Sequence, residues 1–257
     1  MSVFAAAALG LILGSFLNAL LFRYNTGRSI FWARSTGLKA SRSQCMQCGH
    51  TLGVADLVPV FSYFFLRGKC RYCHSRISAQ YPLVEAAAGL LAAALYLQNP
   101  EPLHFAVALV LWLALLFIVV YDLRHNIIPW SALGIFTLSA FVLVLLEQRD
   151  ILQALMAGIL LAVPLFAFSA VSRGRWMGLG DGMLEFGLGL LLGLSAGASA
   201  LVLAFWIGAV VGIALLSLKG RYTMKSEVPF APFLVLGAAC VYFLHVNFLT
   251  YLSVLLF

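Results

Sequence analysis

The chain has 257 residues, of which 63% are hydrophobic and only 10% charged, and its net charge is +7. An ordinary soluble domain carries about 25% charged residues, so a soluble globule could not bury this much apolar surface. A basic balance is also found in nucleic-acid-binding proteins, but here the basic residues cluster between apolar segments, as in membrane proteins. The composition therefore indicates an integral membrane protein and excludes nucleic acid as a partner.

Eight apolar segments, most of them reaching the roughly 17 to 25 residues that a spanning helix needs, are predicted to cross the bilayer. They are residues 3–22, 82–97, 103–121, 130–146, 151–171, 183–198, 199–218 and 231–249. The first segment has no basic residues before it and no small-residue cleavage site after it, which favours a retained anchor over a signal peptide. The predicted fold is all-α and polytopic, with about eight transmembrane helices and a small cytoplasmic insert between helices 1 and 2.

Three parts of the chain follow from this pattern. Residues 1–23 form the first transmembrane helix, residues 24–81 form the polar insert, and residues 82–257 form the transmembrane core. The insert is close to the minimum size for a small domain, so its hydrophobic core is too small to stabilise it alone. It is expected to need a cross-link such as a metal ion.

The basic residues are distributed to one side of the predicted topology. If the chain crosses eight times, fifteen of its 16 basic residues lie on the side of the insert and Arg149 lies on the other. The fifteen are Arg23, Arg28, Arg34, Lys39, Arg42, Arg67, Lys69, Arg71, Arg76, Arg124, Arg173, Arg175, Lys219, Arg221 and Lys225. By the positive-inside rule that side is the cytoplasm. The insert is therefore predicted to face the cytoplasm, against anionic lipid headgroups.

Four cysteines of the insert form two C-x-x-C pairs, Cys45 with Cys48 and Cys70 with Cys73. Two such pairs at this separation are typical of four-cysteine zinc sites, in which each pair supplies one edge of the tetrahedron. Disulfides are disfavoured because the cytoplasm is reducing, and two pairs fit a structural site better than a redox one. We expect structural zinc, with the nearby His50 and His74 as surface residues.

Four of the acidic residues in or beside the apolar segments stand out, namely Glu85, Asp122, Asp181 and Glu185, whereas Glu101, Glu147 and Asp150 fall on the opposite side of the predicted topology. Such residues are functional candidates because a charge is costly to bury in lipid. Asp122 follows the third predicted span and Asp181 precedes the sixth, so two spans separate them. Both must therefore lie on the same side of the membrane, at the cytoplasmic rim.

A pair of neighbouring carboxyl groups can supply an acid and a base, because the two share one proton more readily than they carry two charges. The ionised member can activate water and the protonated member can polarise a peptide carbonyl. Gly178 and Gly180 beside Asp181 would let a substrate strand approach the backbone. The alternative is that these are ordinary interfacial aspartates, one capping a helix and the other paired with an arginine.

Several distinct short motifs follow one another along the chain. They are Gly14-Ser-Phe-Leu-Asn18 followed by Arg23, the two cysteine pairs, the run Asp56 to Arg71, Ile77-Ser78, Tyr81-Pro-Leu-Val-Glu85, Asp122 with Ile128-Pro129, Met177-Gly-Leu-Gly-Asp181 and Pro229-Phe-Ala-Pro-Phe233. This series resembles the type IV prepilin peptidases, bacterial members of the Gly-x-Gly-Asp aspartic proteases. The resemblance extends over most of the chain.

The resemblance implies removal of the short basic leader of prepilins or pseudopilins, after a glycine, at the cytoplasmic face of the bacterial inner membrane. The family's catalytic aspartates correspond to Asp122 and Asp181, and its tetracysteine motif to the four cysteines of the insert. Many members also N-methylate the new terminus with S-adenosylmethionine. For that methyl donor the sequence offers only Asn18 and Glu85 as candidate contacts.

Two positions depart from the family pattern. Met183 stands where a lysine is usual, two residues after the second catalytic aspartate, and Trp130 stands where an acidic residue usually follows Ile-Pro. Neither change removes a carboxyl group of the pair, so the resemblance still implies peptidase activity.

Two other classes of protein compete with the peptidase. The first is a proton- or cation-coupled transporter, which would place its acids near the bilayer midplane in repeated halves. The second is a catalytically inactive assembly factor of a pilus or secretion system that uses the insert to hold its partners. Neither the rim position of the acids nor the lack of an evident repeat favours a transporter.

Overall fold

The computed structural model describes residues 1–24, 43–175, 177–217 and 228–248. Seven of the basic residues that the predicted topology places in the cytoplasm therefore lie outside the described residues. They are Arg28, Arg34, Lys39, Arg42, Lys219, Arg221 and Lys225.

The described residues form nine α-helices and one short 3₁₀ turn, Val54–Asp56. The helices are α1 (Val3–Tyr24), α2 (Phe61–Phe65), α3 (Gln80–Gln98), α4 (Pro102–His125), α5 (Trp130–Leu146), α6 (Ile151–Ser172), α7 (Leu179–Leu192), α8 (Leu194–Ser217) and α9 (Ala231–Leu244). All except α2 correspond to the eight predicted segments. The prediction of an all-α fold is therefore confirmed.

Five of these helices, α1, α3, α4, α6 and α8, are long and apolar enough to cross a membrane. The helices α5 and α9 are apolar but shorter, and α7 has 14 residues. The five long helices fit a multi-pass membrane protein, while the number of eight crossings stays a prediction.

The predicted ends of three segments are wrong, and the structure gives the reason. Helix α4 continues to His125, so Asp122 lies in its last turns rather than after it. Helix α7 begins at Leu179, so Asp181 lies in its first turn rather than before it. The break between α7 and α8 falls at Gly193 and not near residue 198, because Gly193 has φ +78° and ends α7 in a conformation that glycine adopts easily.

The chain divides into two compact units, Met1–Phe105 and Ala106–Phe257. In the first unit α1 packs against α3, and small residues let the two backbones approach each other. A Cβ atom at Gly10 would lie 2.3 Å from the Ala88 carbonyl oxygen, and one at Gly14 would lie 2.8 Å from the Glu85 Cα. These two glycines therefore fix the contact between the two helices.

In the second unit α7 contacts α5, α6, α8 and α9. Its contact with α6 is close, since a Cβ atom at Gly189 would lie 2.6 Å from the Cα of Gly158. At the end of α7, the Arg149 guanidinium donates hydrogen bonds to the carbonyl oxygens of Leu190 and Leu191, at 3.2 and 2.9 Å. The one basic residue assigned to the opposite side therefore satisfies carbonyl groups that a helix end leaves unpaired.

Candidate active site

Asp122 lies near the end of α4, a helix of 24 residues that is apolar over most of its length. Only 5% of the residue is exposed. The backbone N–H of Ala231, the first residue of α9, interacts with its carboxyl group. The backbone N–H groups of a first helical turn have no partner within their own helix, so an acidic side chain is well placed to accept one.

Asp181 occupies the first turn of α7 and is 8% exposed. Its Oδ2 accepts a hydrogen bond from the backbone N–H of Gly178, at 3.1 Å. This contact closes the turn at the start of α7 and explains why the helix begins before the aspartate. Each of the two aspartates is thus held by a backbone N–H at the start of a helix.

The structure brings Asp122 and Asp181 together, since their carboxyl groups interact electrostatically within the second unit. Helices α5 and α6 lie between them in sequence, as the predicted topology required. Both side chains are largely removed from solvent. In such surroundings two neighbouring carboxyl groups share a proton, which is the arrangement that acid and base catalysis by a carboxyl pair needs.

Of the two glycines in the Gly178-Leu-Gly-Asp181 segment, Gly180 is explained by a tight contact within the protein, and Gly178 is not. A Cβ atom at Gly180 would lie 3.0 Å from the Cβ of Ile128, the residue that precedes Pro129. One at Gly178 would lie 3.6 Å from Oδ2 of Asp181. The space at Gly180 is therefore used by Ile128, so the expectation that this glycine leaves room for a substrate strand is not needed to explain it. The Ile-Pro motif and the Gly-x-Gly-Asp motif pack directly on each other.

Glu185 lies one helical turn beyond Asp181 and is only 1% exposed. Its Oε1 has no hydrogen-bond partner among the described residues. The sequence singled it out only as an acid in an apolar segment. The sequence gave no separate signal for its complete burial, because Glu185 and Asp181 both lie among Gly and Leu residues.

Trp130 and Met183, the two residues that differ from the family pattern, lie close to each other in the structure. Both line an apolar groove of about 460 Å³ on α5, α6 and α7, together with Leu133, Thr137 and Phe186. Met183 projects from α7 about 160° away from Glu185, on the face opposite the buried acids. Trp130 and Met183 therefore line this groove, whose lining does not include Asp122 or Asp181.

The four cysteines of the insert form one cluster, in which the sulfur atoms all lie within 4.8 Å of one another. The Sγ atoms of Cys45 and Cys73 are 3.8 Å apart. Two thiolates about 2.3 Å from one tetrahedral zinc ion would be about 3.8 Å apart, so the arrangement fits a metal. Hydrogen bonds from the backbone N–H groups of Cys48 and Gln47, together with the neighbouring cysteines, lower the pKa of the Cys45 thiol to about 6, which favours the thiolate that a metal requires.

The two C-x-x-C loops have the same backbone structure. In each loop the first cysteine donates its N–H to the carbonyl five residues on, and its carbonyl accepts the N–H four residues on. Isolated β-bridges join Gln44 to Thr51 and Lys69 to Arg76, at equivalent positions. His50 and His74 are exposed, and among the described residues the cluster that could hold a metal ion consists of the four cysteines. The loops therefore form a pair of matched knuckles around one site.

Asp56 connects the second knuckle to the 3₁₀ turn. Its carboxylate accepts hydrogen bonds from the Arg71 Nε at 2.7 Å, the Gly53 N–H at 3.1 Å and the Tyr72 hydroxyl at 3.2 Å. Burial acts to raise its pKa, but these three donors hold the pKa below its usual value. In the sequence Asp56 was only the first residue of the Asp56 to Arg71 motif, and the spacing of its partners along the chain did not reveal this role.

The remaining candidates, Asn18 and Glu85, lie where α1 meets α3. The Asn18 side-chain amide donates to the Tyr81 carbonyl at 3.1 Å, and Asn18 is 3% exposed. The Glu85 carboxylate accepts the Val60 N–H at 2.7 Å and is 7% exposed. Asn18 therefore joins α1 to the first turn of α3, and Glu85 joins α3 to the insert.

Comparison with known proteins covers nearly the whole chain. Residues 8–99 match the bacterial peptidase A24 N-terminal domain, and residues 107–213 match the type IV leader peptidase family. The boundary between the two matches falls close to the division between the two compact units.

Several relatives are named prepilin leader peptidase/N-methyltransferase. The protein of Burkholderia pseudomallei strain 1026b is 33% identical over 95% of this chain and 85% of its own length. That of Aeromonas hydrophila is 32% identical over 88% and 85%, and that of Bacillus subtilis strain 168 is 33% identical over 91% and 90%. No solved structure matches the chain. With two family models and relatives at this identity over most of its length, the chain belongs to the type IV leader peptidase family.

Proposed function

We propose that this membrane peptidase cleaves the leader peptides of type IV prepilins or pseudopilins, with Asp122 and Asp181 as its catalytic pair. The observation that carries the proposal is that these two carboxyl groups are largely buried and close enough for the charge of Asp122 to act on Asp181. Family membership favours a peptidase over a coupled transporter or an inactive assembly factor. The relatives' names supply the substrate class.

The chemistry follows from a pair that holds one proton. The ionised carboxylate takes a proton from the attacking water, while the protonated carboxyl donates a hydrogen bond to the peptide carbonyl. When the tetrahedral intermediate collapses, the first carboxyl gives its proton to the leaving amine. The backbone N–H groups of Gly178 and Ala231 hold the two carboxyl groups in place through this cycle.

The site is proposed to face the cytoplasm from the bacterial inner membrane, with the basic insert on the same side. This orientation rests on the one-sided distribution of basic residues in the sequence. Near Asp122, Arg124 occupies the last turn of α4. A basic side chain is also stabilised there by the partial negative charge at the C-terminal end of the helix.

We propose zinc as the metal of Cys45, Cys48, Cys70 and Cys73, because four thiolates in a closed tetrahedral shell are typical of structural zinc. Zinc would join the two knuckles of the insert and would leave no open position for a substrate. We assign it no part in hydrolysis.

The relatives' names also include N-methyltransferase, so we propose methyl transfer from S-adenosylmethionine to the new amino terminus as a second activity. Asn18 and Glu85 are the candidate contacts for the methyl donor. Their described hydrogen bonds go to groups of the protein itself, namely the Tyr81 carbonyl, the Gln80 side chain and the Val60 N–H, which fits a structural role better than a ligand site. We therefore derive no step of methyl transfer through these two residues.

The proposal is tested by leader cleavage in purified full-length protein, with Asp122→Asn and Asp181→Asn compared against Asp150→Asn. Each of the first two changes should lower the cleavage rate by at least about 10²-fold, because it removes one member of the acid and base pair. Asp150 is a matched control, since it caps α6 through acceptor bonds that asparagine can also make. A well-folded Asp122→Asn or Asp181→Asn variant that cleaves as fast as the control would refute the assignment.

A further inference from the structure

The short helix α2 exposes an apolar face that the peptidase chemistry does not explain. Phe61, Phe64 and Phe65 are 57%, 70% and 84% exposed. Their spacing of i, i+3 and i+4 places all three on one side of the helix. Single exposed apolar residues are common on proteins, but a cluster of three phenylalanines marks a surface that binds something apolar. We name these three residues the α2 phenylalanine face.

A direct contact fixes the level of this face along α3. Val60 immediately precedes α2, and its N–H donates to Oε2 of Glu85 at 2.7 Å. Glu85 lies in the second turn of α3, one of the five helices that can cross a membrane. At about 1.5 Å per residue, the 19 residues of α3 span nearly the whole hydrocarbon core, so its second turn lies close to the edge of that core.

The backbone at Val60 is held in a turn that presents α2 at this level. Val60 has φ +63° and ψ −51°, which a β-branched residue adopts only under constraint. The Phe61 N–H donates to the Pro59 carbonyl at 2.6 Å, so residues 59–61 form a tight γ-turn. With Glu85 holding the central N–H of that turn, α2 cannot move far from α3 without breaking the contact.

Basic side chains flank the phenylalanine face. Arg67 and Lys69 follow α2 within four residues, and both are exposed. The nearby acid, Asp56, is already paired with Arg71 at 2.7 Å. Aromatic residues next to lysine and arginine are typical of segments that lie in the interface of an anionic membrane.

We propose that α2 lies in the membrane interface beside α3, with Phe61, Phe64 and Phe65 among the lipids and Arg67 and Lys69 at the anionic headgroups. A protein partner would also cover an apolar face, but the contact between Val60 and Glu85 puts this face at the edge of the bilayer. The placement does not depend on the chemistry of Asp122 and Asp181. It would hold the metal-binding insert down on the membrane surface, beside the first pair of long helices.

The test is photo-crosslinking of the full-length protein reconstituted in phosphatidylethanolamine and phosphatidylglycerol vesicles. p-Benzoylphenylalanine is placed at Phe64 or Phe65, and at Met46 as the control, because Met46 is 58% exposed on the first cysteine knuckle. We expect lipid adducts, identified by mass spectrometry, in several-fold higher yield at Phe64 and Phe65 than at Met46. Equal yields at the three positions, or adducts to polypeptide instead of lipid at Phe65, would overturn the proposal.

A second measurement covers the case in which the bulky benzoyl group disturbs folding. 4-Fluorophenylalanine at Phe65 changes one atom, and its fluorine resonance should broaden when the vesicles contain nitroxide-labelled lipid. A resonance that broadens with a soluble nitroxide and not with the labelled lipid would place Phe65 in water and contradict the proposal.

Discussion

The cysteine cluster of the first unit and the aspartate pair of the second unit are built in different ways. The cysteines lie in two matched loops, stabilised by hydrogen bonds between residues a few positions apart and by Asp56. The aspartates come from helices distant in sequence and meet because α7 packs closely on its neighbours. The insert is therefore expected to depend on its metal, and the bundle on the close packing of its glycines.

Removal of the metal should separate the two regions most strongly. Free energies of zinc binding in small zinc domains are about 10 to 16 kcal/mol and contribute directly to folding. Cys45→Ser, or a chelator, should make residues 43–76 sensitive to limited proteolysis while leader cleavage by the aspartate pair is retained.

Metal analysis provides the complementary control for this experiment. We expect about one zinc ion per chain, lost on substitution of Cys45 or Cys70 and kept on substitution of Cys240, which lies in α9. Metal content that does not respond to the cysteines of the knuckles would contradict the four-cysteine site.

The reverse experiment is Gly189→Ala, which acts on the bundle. The new Cβ atom would lie 2.6 Å from the Gly158 Cα, and backbone atoms cannot move aside as a flexible side chain can. Overpacking of this kind costs about 1 to 3 kcal/mol, so thermal stability in detergent and leader cleavage should fall together. Gly134→Ala is the matched control, since a Cβ atom there has nothing within 4 Å. Equal stability of the two variants would argue against close packing of α6 and α7.

A smaller effect is expected at the contact between the two motifs of the site. In Gly180→Ala the added Cβ atom would meet the Ile128 side chain at 3.0 Å, so either residue must shift by a few tenths of an ångström. Because a misplacement of about 1 Å can cost about 10²-fold in rate, we expect a loss of about tenfold or less in kcat. Ile128→Val in the same chain should restore part of the rate, and no restoration would mean that this contact does not position Asp181.

The smallest effect is expected from Asp56→Asn in the insert. Asparagine keeps the volume of the side chain but removes the negative charge that pairs with Arg71. An ion pair that is partly exposed contributes about 1 kcal/mol to stability. Zinc should be released at a chelator concentration a few-fold lower than in the parent, with unchanged cleavage. A variant that releases zinc like the parent would show that Asp56 does not support the second knuckle.

Much of the architecture could be predicted from the sequence because membrane helices and cysteine knuckles leave local signals. Apolar patterning located the eight apolar helices, of which five are long, and paired C-x-x-C spacing located the cluster. Helix ends were harder to predict, since Gly193 ends α7 through its backbone conformation, within a run of Gly and Leu that reads as continuous. The number of crossings is a further property that apolar length alone does not fix.

The site was predicted only in part. Topology placed Asp122 and Asp181 on one side, but their contacts with Ala231 and Gly178 depend on how helices pack, which spacing does not encode. For the same reason the packing of Gly180 on Ile128 and the burial of Glu185 became visible only in three dimensions.

The central claim is that Asp122 and Asp181 act as one unit, and a double-mutant cycle of leader cleavage tests it most directly. Purified Asp122→Asn, Asp181→Asn and the double variant are compared with the parent at saturating prepilin, after confirming that each inserts in the membrane and retains zinc. If the two carboxyl groups form one acid and base pair, either single change removes the whole of their contribution, so all three variants should be about equally slow. Losses that multiply in the double variant would mean that the two aspartates act independently, and would contradict the account.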